Sequence, residues 1–342
     1  MPKNQIYPSI SIIMPTLNAQ RVLDLSLASI SNQKYKGKVE IIIADGGSTD
    51  QTLQIAKKYK TKIIKNKLKT GEAGKAVGVK YANGDILALI DSDNILPDDL
   101  WLDHMIEPFI ADQEVIATEP LYFTHREGDF WLTRYFALIG MGDPLTLFIG
   151  NYDRYNFITN KWTELNIVTK DKKSYLSLYL KNEMPTIGAN GFLIKKNELK
   201  KYPIKDYLFD IDVLKFLVKE KPVKIAKVKI GIIHLFSGSI STFARKQRRR
   251  IRDYLYYQRS GIRVKEVGKN KLRIGKGVAM FIISTILIFP VITQALTGYR
   301  RKKDIAWVFH PFACWITFFI YSTETVRSIF KKGEFDRKKW SQ

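Results

Sequence analysis

Asp91 and Asp93 stand one residue apart, directly after the apolar run Ile86-Leu87-Ala88-Leu89-Ile90. Such a run reads as a buried strand, which delivers both carboxylates to its C-terminal end. In open α/β sheets, ligands bind in the crevice beyond that end. Two carboxylates this close repel each other unless a cation sits between them. A hard divalent ion that also takes phosphate oxygens suits the position. The competing reading is an Asp-Ser-Asp-Asn turn with helix-capping residues, and the segments upstream decide against it.

The first of these segments is Met14-Pro15-Thr16-Leu17-Asn18, where Pro15 is expected to halt a strand and Thr16 and Asn18 offer short polar groups at its ligand-facing end. A second strand ends at Ala44-Asp45-Gly46-Gly47-Ser48-Thr49-Asp50. There Asp45 is placed to accept hydrogen bonds from a base or ribose, and the glycines allow close backbone approach. Gly71-Glu72-Ala73-Gly74-Lys75-Ala76 precedes a helix and would bring backbone amides and the Lys75 ammonium near phosphate. It lacks Walker spacing, and neither early strand is followed by a G-x-G-x-x-G fingerprint.

The elements that must hold these groups alternate along the first hundred residues. Strands are expected over residues 10–14, 39–44, 62–64 and 86–90. Helices are expected around Leu23, Leu27 and Ile30, from a Ser48 or Asp50 cap to Tyr59, over residues 74–82 and over residues 98–110. Strands separated by helices of this length imply an α/β fold with a mostly parallel sheet. Farther on, residues 201–221 carry a helix pattern and residues 223–235 a strand-like run ending near His234. The aromatic stretch over residues 130–162 reads either as a core helix with a long loop or as a segment at a membrane boundary.

Lys and Arg outnumber Asp and Glu by 56 to 33, a formal charge of +23, which favours anionic partners. The excess concentrates between Arg245 and Lys276. The lone Cys314 excludes an internal disulfide and a cysteine-cluster metal site, and implies a reducing setting. The N-terminus is expected to lead straight into a strand without a secretory signal. Residues 277–299 contain no charge over 23 positions, roughly 34 Å as a helix. Residues 305–323 form a second uncharged run, which contains Pro311. Two transmembrane or interfacial helices are expected over residues 277–326, with a re-entrant pair kinked at Pro290 and Pro311 as the alternative. Basic flanks on both sides favour placing both in the cytoplasm.

Taken together, Ser11-Ile12-Ile13-Met14-Pro15-Thr16-Leu17-Asn18, Ile43-Ala44-Asp45-Gly46-Gly47-Ser48-Thr49-Asp50 and Gly84-Asp85-Ile86-Leu87-Ala88-Leu89-Ile90-Asp91-Ser92-Asp93 resemble the family 2 glycosyltransferases of the GT-A fold. Weaker matches follow at Gly188-Ala189-Asn190-Gly191-Phe192 and Phe209-Asp210-Ile211-Asp212-Val213. The resemblance implies a nucleotide-sugar site bordered by Pro15, Thr16, Asn18, Gly74, Lys75 and Ser92. Asp45 would hold the base, and Asp91 and Asp93 would sit at ribose and metal. Asp93 would be the direct ligand to Mg²⁺ or Mn²⁺, with His234 either a further ligand or a structural residue. It also implies a general base at Asp210, or at Asp212 as second choice; the Glu that usually precedes the Asp is Phe209 here. Asn190 would lie at the acceptor. Gln247, Arg249 and Arg250 are similar to a Q-x-x-R-W element of membrane-bound relatives, with Ile251 in place of the Trp, and would reach diphosphate oxygens or line a basic face.

The organisation expected is a catalytic domain over residues 1–243, with a nucleotide-binding half over 1–100 and an acceptor half over 101–243. A basic membrane-proximal segment (244–276), the two helices (277–326) and a basic tail (327–342) would follow. The function expected is a metal-dependent inverting glycosyltransferase at the cytoplasmic face of the cell membrane. It would move a sugar from a nucleotide-diphosphate sugar to a lipid-linked glycan or polyprenyl phosphate, next to anionic membrane. Its alternatives are a processive polysaccharide synthase, against which the short tail argues, and a non-catalytic basic protein that binds acidic lipid or nucleic acid. No nucleic-acid motif accompanies the charge, so no nucleic-acid partner is expected.

Overall fold

The computed structural model describes residues 7–181, 183–188, 190–236, 238–260 and 271–330. The chain folds as two compact units, each discontinuous in sequence. The first comprises Met1–Tyr122 and Asn166–Leu235, the second Phe123–Leu165 and Phe236–Gln342. The boundary expected at residue 243 thus falls at residue 235, and residues 123–165 join the C-terminal helices. Parts of the expected basic segment (261–270) and tail (331–342) lie outside the described residues.

In the first unit the chain alternates β1 (Ile10–Thr16), α1 (Leu23–Ser31), β2 (Val39–Asp45), α2 (Thr52–Lys58), β3 (Lys62–Lys65), α3 (Gly71–Tyr81) and β4 (Ile86–Leu89). The two-residue β5 (Asn94–Ile95), α4 (Trp101–Ala111) and β6 (Val115–Thr124) follow. After the excursion into the second unit come β7 (Val168–Asp171), β8 (Tyr175–Leu180), β9 (Phe192–Lys195), α7 (Lys196–Leu199), α8 (Asp210–Glu220) and β10 (Val223–His234). The sheet order is β3-β2-β1-β4-β9-β6-β10-β8-β7, with β5 pairing to β10. β3, β2, β1 and β4 run parallel, while β9 meets β4 antiparallel. Ile12, Ile13, Ile42, Ile43, Leu87 and Leu89 are fully buried, as strands covered on both faces require.

Three of the boundaries that differ from the sequence reading have local causes. β1 runs through Pro15 to Thr16 beside β2, because its ladder to β4 already ends at Ile13; a proline is tolerated where one side of a strand is free of ladder bonds. α3 starts at Gly71, three residues early, since Thr70 caps it by accepting from Ala73 N at 3.2 Å. α8 starts only at Asp210, because Pro203 interrupts the pattern upstream.

The second unit contains α5 (Trp131–Ile139), α6 (Leu145–Ile149), α9 (Ile240–Ser260), α10 (Lys271–Leu287), α11 (Phe289–Arg301), a 3₁₀ turn (Ile305–Val308) and α12 (Phe309–Phe330). Its core packs Tyr135, Phe136 and Ile139 of the aromatic stretch against Phe236, Phe243, Trp307 and Phe309, so most of that stretch is interior. The uncharged run over residues 277–299 is not one straight span. α10 and α11 meet at 95°, with the break at Ile288 (φ +62°) just before Pro290, whose missing N–H cannot continue the ladder. Pro311 produces no kink, because it falls in the first turn of α12, where no intrahelical donor is needed. Among the described residues, one continuous stretch, Ile305–Phe330, is long and apolar enough to cross a membrane.

Candidate active site

The C-terminal ends of the parallel strands carry the acidic groups. Beyond β4, Asp91 N donates to Asn94 Oδ1 (3.0 Å), which closes a tight turn and presents Asp91, Ser92 and Asp93 together. β5 then pairs with β10, placing Asn94 opposite His234, and Leu235 N donates to Asp93 O (2.9 Å). This register brings His234 Nε2 to 3.4 Å from Asp93 Oδ2. Asn94 Nδ2 donates to Asn190 Oδ1 (2.9 Å), tying in the loop before β9.

A second cluster forms around Lys75. The second helical turn of α3 aims its ammonium at Asp210 Oδ2 (2.8 Å) and Asp91 Oδ1 (3.6 Å). The Lys75 and Asp210 side chains keep 8% and 6% of their surface and Asp91 keeps 32%. Burial alone would lower the Lys75 pKa; the Asp210 and Asp91 carboxylates more than offset it, leaving the ammonium above the ordinary lysine value. Burial pushes the Asp91 carboxyl above the usual range. Lys75 opposes the rise and the charges of Asp93 and Asp210 add to it, while the third of the side chain still in water moderates it.

Two glycines permit these approaches. A Cβ on Gly74 would lie 2.7 Å from Pro15 Cβ, so α3 can settle against β1 and bring Lys75 inward. Gly188 has φ +118°, and a Cβ there would lie 2.5 Å from Asp210 Cβ. Its N–H donates to Glu119 Oε1 (2.8 Å), and Glu119 is paired with Lys227 at 2.5 Å, both side chains fully buried. Sequence reasoning missed this supporting pair, since a lone Glu on β6 and a lone Lys on β10 carry no local signal.

The remaining expected residues have defined places. Asp45 accepts from Thr16 Oγ1 (3.0 Å), Gly47 N (2.8 Å), Ser48 N (2.8 Å) and Ser48 Oγ (2.5 Å), so its carboxylate organises the loop after β2. Asn18, at φ +51°, accepts from Thr49 N and bridges the first two strand-end loops. Asp212 lies buried, 3.5 Å from Lys215 Nζ, whereas Asp210 pairs with Lys75. In the second unit, Gln247 Nε2 and Arg250 Nη1 both donate to Gly142 O (2.8 and 2.6 Å), whereas Arg249 stays largely exposed, 3.5 Å from Asp253.

Among the described residues, no group of three His, Cys, Asp or Glu side chains stands together as a metal cage. Asp93 and His234 form a pair, both partly open to solvent. Two protein ligands suit an ion that completes its shell with diphosphate oxygens and water.

Residues 11–195, more than half the chain, match the model of glycosyl transferase family 2. The chain belongs to that family. It is 27% identical over 250 residues to an uncharacterized glycosyltransferase of Haemophilus influenzae, covering 70% of this chain and 79% of the relative. It is 31% identical over 106 residues to the Escherichia coli UDP-Glc:alpha-D-GlcNAc-diphosphoundecaprenol beta-1,3-glucosyltransferase WfgD, covering 30% and 40% of the two chains. A chondroitin synthase of Pasteurella multocida is 30% identical over 117 residues, 32% of this chain but 12% of the synthase. The fold is similar to that of the mannosyltransferase PcManGT of Pyrobaculum calidifontis, solved with GDP-Man and Mn²⁺. The TM-score is 0.51 at 13% identity, covering 92% of this chain and 87% of that one. The protein is therefore a family 2 glycosyltransferase with the GT-A fold.

Proposed function

We propose that this glycosyltransferase is metal-dependent and inverting, and that its acceptor is lipid-linked and held at the cytoplasmic face of a membrane. The convergence of Asp91, Asp93, His234, Lys75 and Asp210 beyond the β4 and β10 ends carries the reading. Asp93 and His234 would hold Mg²⁺ or Mn²⁺, which supplies neutralisation of the leaving diphosphate when bound. Asp91 and Ser92 would line the sugar-nucleotide, and Asp45 with Thr16 and Asn18 would border the nucleoside.

Asp210 is the general base. The acceptor hydroxyl oxygen attacks the anomeric carbon from the face opposite the diphosphate, and its proton passes to the Asp210 carboxylate. The C–O bond to the diphosphate breaks, and that group leaves with the electron pair. Lys75, 2.8 Å from Asp210 Oδ2, fixes the rotamer of the base. The membrane-side acceptor is favoured by the apolar helices of the second unit and by the likeness to WfgD, whose name specifies a diphosphoundecaprenol acceptor.

The test is sugar transfer by the full chain in detergent, with UDP-Glc and GDP-Man offered alongside Mn²⁺ and polyprenyl-diphosphate-linked sugar acceptors. Asp93→Ala and Asp210→Asn should each lower kcat by at least about 100-fold, and the new linkage should have the anomer opposite to the donor's. Full turnover in Asp93→Ala removes the metal role, and a product of unchanged anomeric configuration removes the inverting mechanism.

A further inference from the structure

The bend at Ile288 and the pairing of α9 with α12 bear on how the second unit meets a membrane. α10 and α11 have 17 and 13 residues, about 25 and 20 Å, each shorter than a hydrocarbon core of about 30 Å. At 95° to one another they do not form one straight crossing. The apolar side chains at the bend point outward: Leu287 and Phe289 are 63% and 72% exposed. The ends of the pair are basic instead, with Lys276 exposed near one and Arg300, Arg301 and Lys303 at the other.

α12 is two-faced along its length. Phe312, Phe319, Val326 and Phe330 lie on an exposed stripe at helical spacing, which Ile305 and Val308 of the 3₁₀ turn continue, while Ala313, Cys314, Thr317, Glu324 and Ser328 are buried. The buried face is held by α9, the most basic helix described. Phe243 meets Phe309 with ring centroids 5.7 Å apart. Farther along, Tyr321 OH donates to Gln247 Oε1 (3.1 Å), and Arg252 clamps Glu324 through Nε (2.8 Å) and Nη2 (3.2 Å). α9 thus follows α12 over most of its course, and Arg248 and Arg249 stay substantially exposed. An α12 that crossed the bilayer would drag this arginine row into hydrocarbon, which is costly. A helix with one apolar face and basic neighbours fits the interface of a single leaflet.

We infer that α10, α11 and α12 form a monotopic platform that enters one leaflet of an anionic bilayer and returns, with no segment reaching the far side. Phe289 and Leu287 at the bend are its deepest points, and Lys276, Arg300, Arg301 and Lys303 stay with the phosphate headgroups on the side of entry. The inference rests on the membrane reading proposed above and adds the topology.

The experiment uses single cysteines in a Cys314→Ala background. Lys276→Cys, Lys303→Cys and Arg327→Cys are compared with Lys57→Cys on the catalytic unit. Inside-out membrane vesicles are labelled with a membrane-impermeant maleimide before and after detergent. All four should react to the same extent before detergent. Protection of the Lys303→Cys site until lysis, with labelling at Lys276→Cys, would establish a crossing hairpin and overturn the platform; protection at Arg327→Cys alone would overturn it through α12. Separately, the purified chain should float with phosphatidylglycerol vesicles, and Phe289→Asp should reduce the floated fraction severalfold. Failure of the wild type to float, with the apolar face buried in a dimer by size measurement, would defeat both the platform and the membrane reading. A changed labelling pattern would defeat the platform alone.

Discussion

Lys75→Met isolates the contact on which the catalytic assignment turns. It deletes an ammonium 2.8 Å from Asp210, where both side chains keep less than a tenth of their surface. Removing one partner of a buried pair costs about 3–5 kcal/mol, because the other charge is stranded. The second contact, to Asp91 at 3.6 Å, adds little, since Asp91 is a third exposed. Asp210→Asn keeps the side-chain shape and leaves Lys75 with Asp91, so about 1–3 kcal/mol is expected. The double variant strands neither group of the close pair. Its cost should fall short of the sum by about 1–3 kcal/mol, the coupling of residues in direct contact. Urea unfolding of the four proteins, followed by tryptophan fluorescence, measures the cycle. The Lys75 pKa is raised on folding, so its contribution is fully present below the unfolded lysine value of about 10.4 and is lost only as pH rises through the higher folded value. The coupling should therefore be constant between about pH 6 and 9. Additivity within about 0.5 kcal/mol would refute the reasoning, and so would a Lys75→Met enzyme with unchanged kcat.

Gly188→Ala places a methyl 2.5 Å from Asp210 Cβ on a backbone at φ +118°. A stability loss of about 1–3 kcal/mol is expected, with kcat falling more than KM rises, as steady-state assays would record. Asp91→Asn should raise the Tm of the metal-free protein near pH 8 while lowering activity. Folding raises the Asp91 pKa, so ionisation disfavours the native state above the ordinary value of about 3.9, and the advantage should vanish below it; scanning calorimetry at both pH values decides. His234→Gln should raise the Mn²⁺ concentration for half-maximal activity by about tenfold or more, and an unchanged titration would remove His234 from the ion.

The elements of the first hundred residues were legible because their signals are local. Continuous apolar runs marked β1, β2 and β4, and the acidic residues directly after β4 marked where that strand ends. The Lys75–Asp210 contact was not legible, as it joins residues 135 apart in sequence. No spacing rule anticipates that a helix-start lysine turns inward to a helix-start aspartate. The Asp93–His234 approach depends on the register of β5 against β10, which only the folded sheet fixes. Hydropathy registered residues 277–299 as one run because it is blind to direction. Pro290 was the local sign of the break, but the positive φ falls on Ile288, which nothing in its side chain advertises. The roles expected of Gln247 and Arg250 were read from a motif, and their hydrogen bonds to the Gly142 carbonyl carried no signal in the sequence.

The excursion over residues 123–165 constrains how the polypeptide can be shortened. Tyr135, Phe136 and Leu138 are roofed by Phe236, Phe243, Trp307 and Phe309, all supplied by sequence more than ninety positions downstream. Clipping the molecule after β10 to remove the apolar helices would leave that aromatic insert unroofed in the middle of the remaining polypeptide. Solubilisation by trimming would thus exchange one greasy surface for another, and surface redesign of the outward stripe on α12 is the better route.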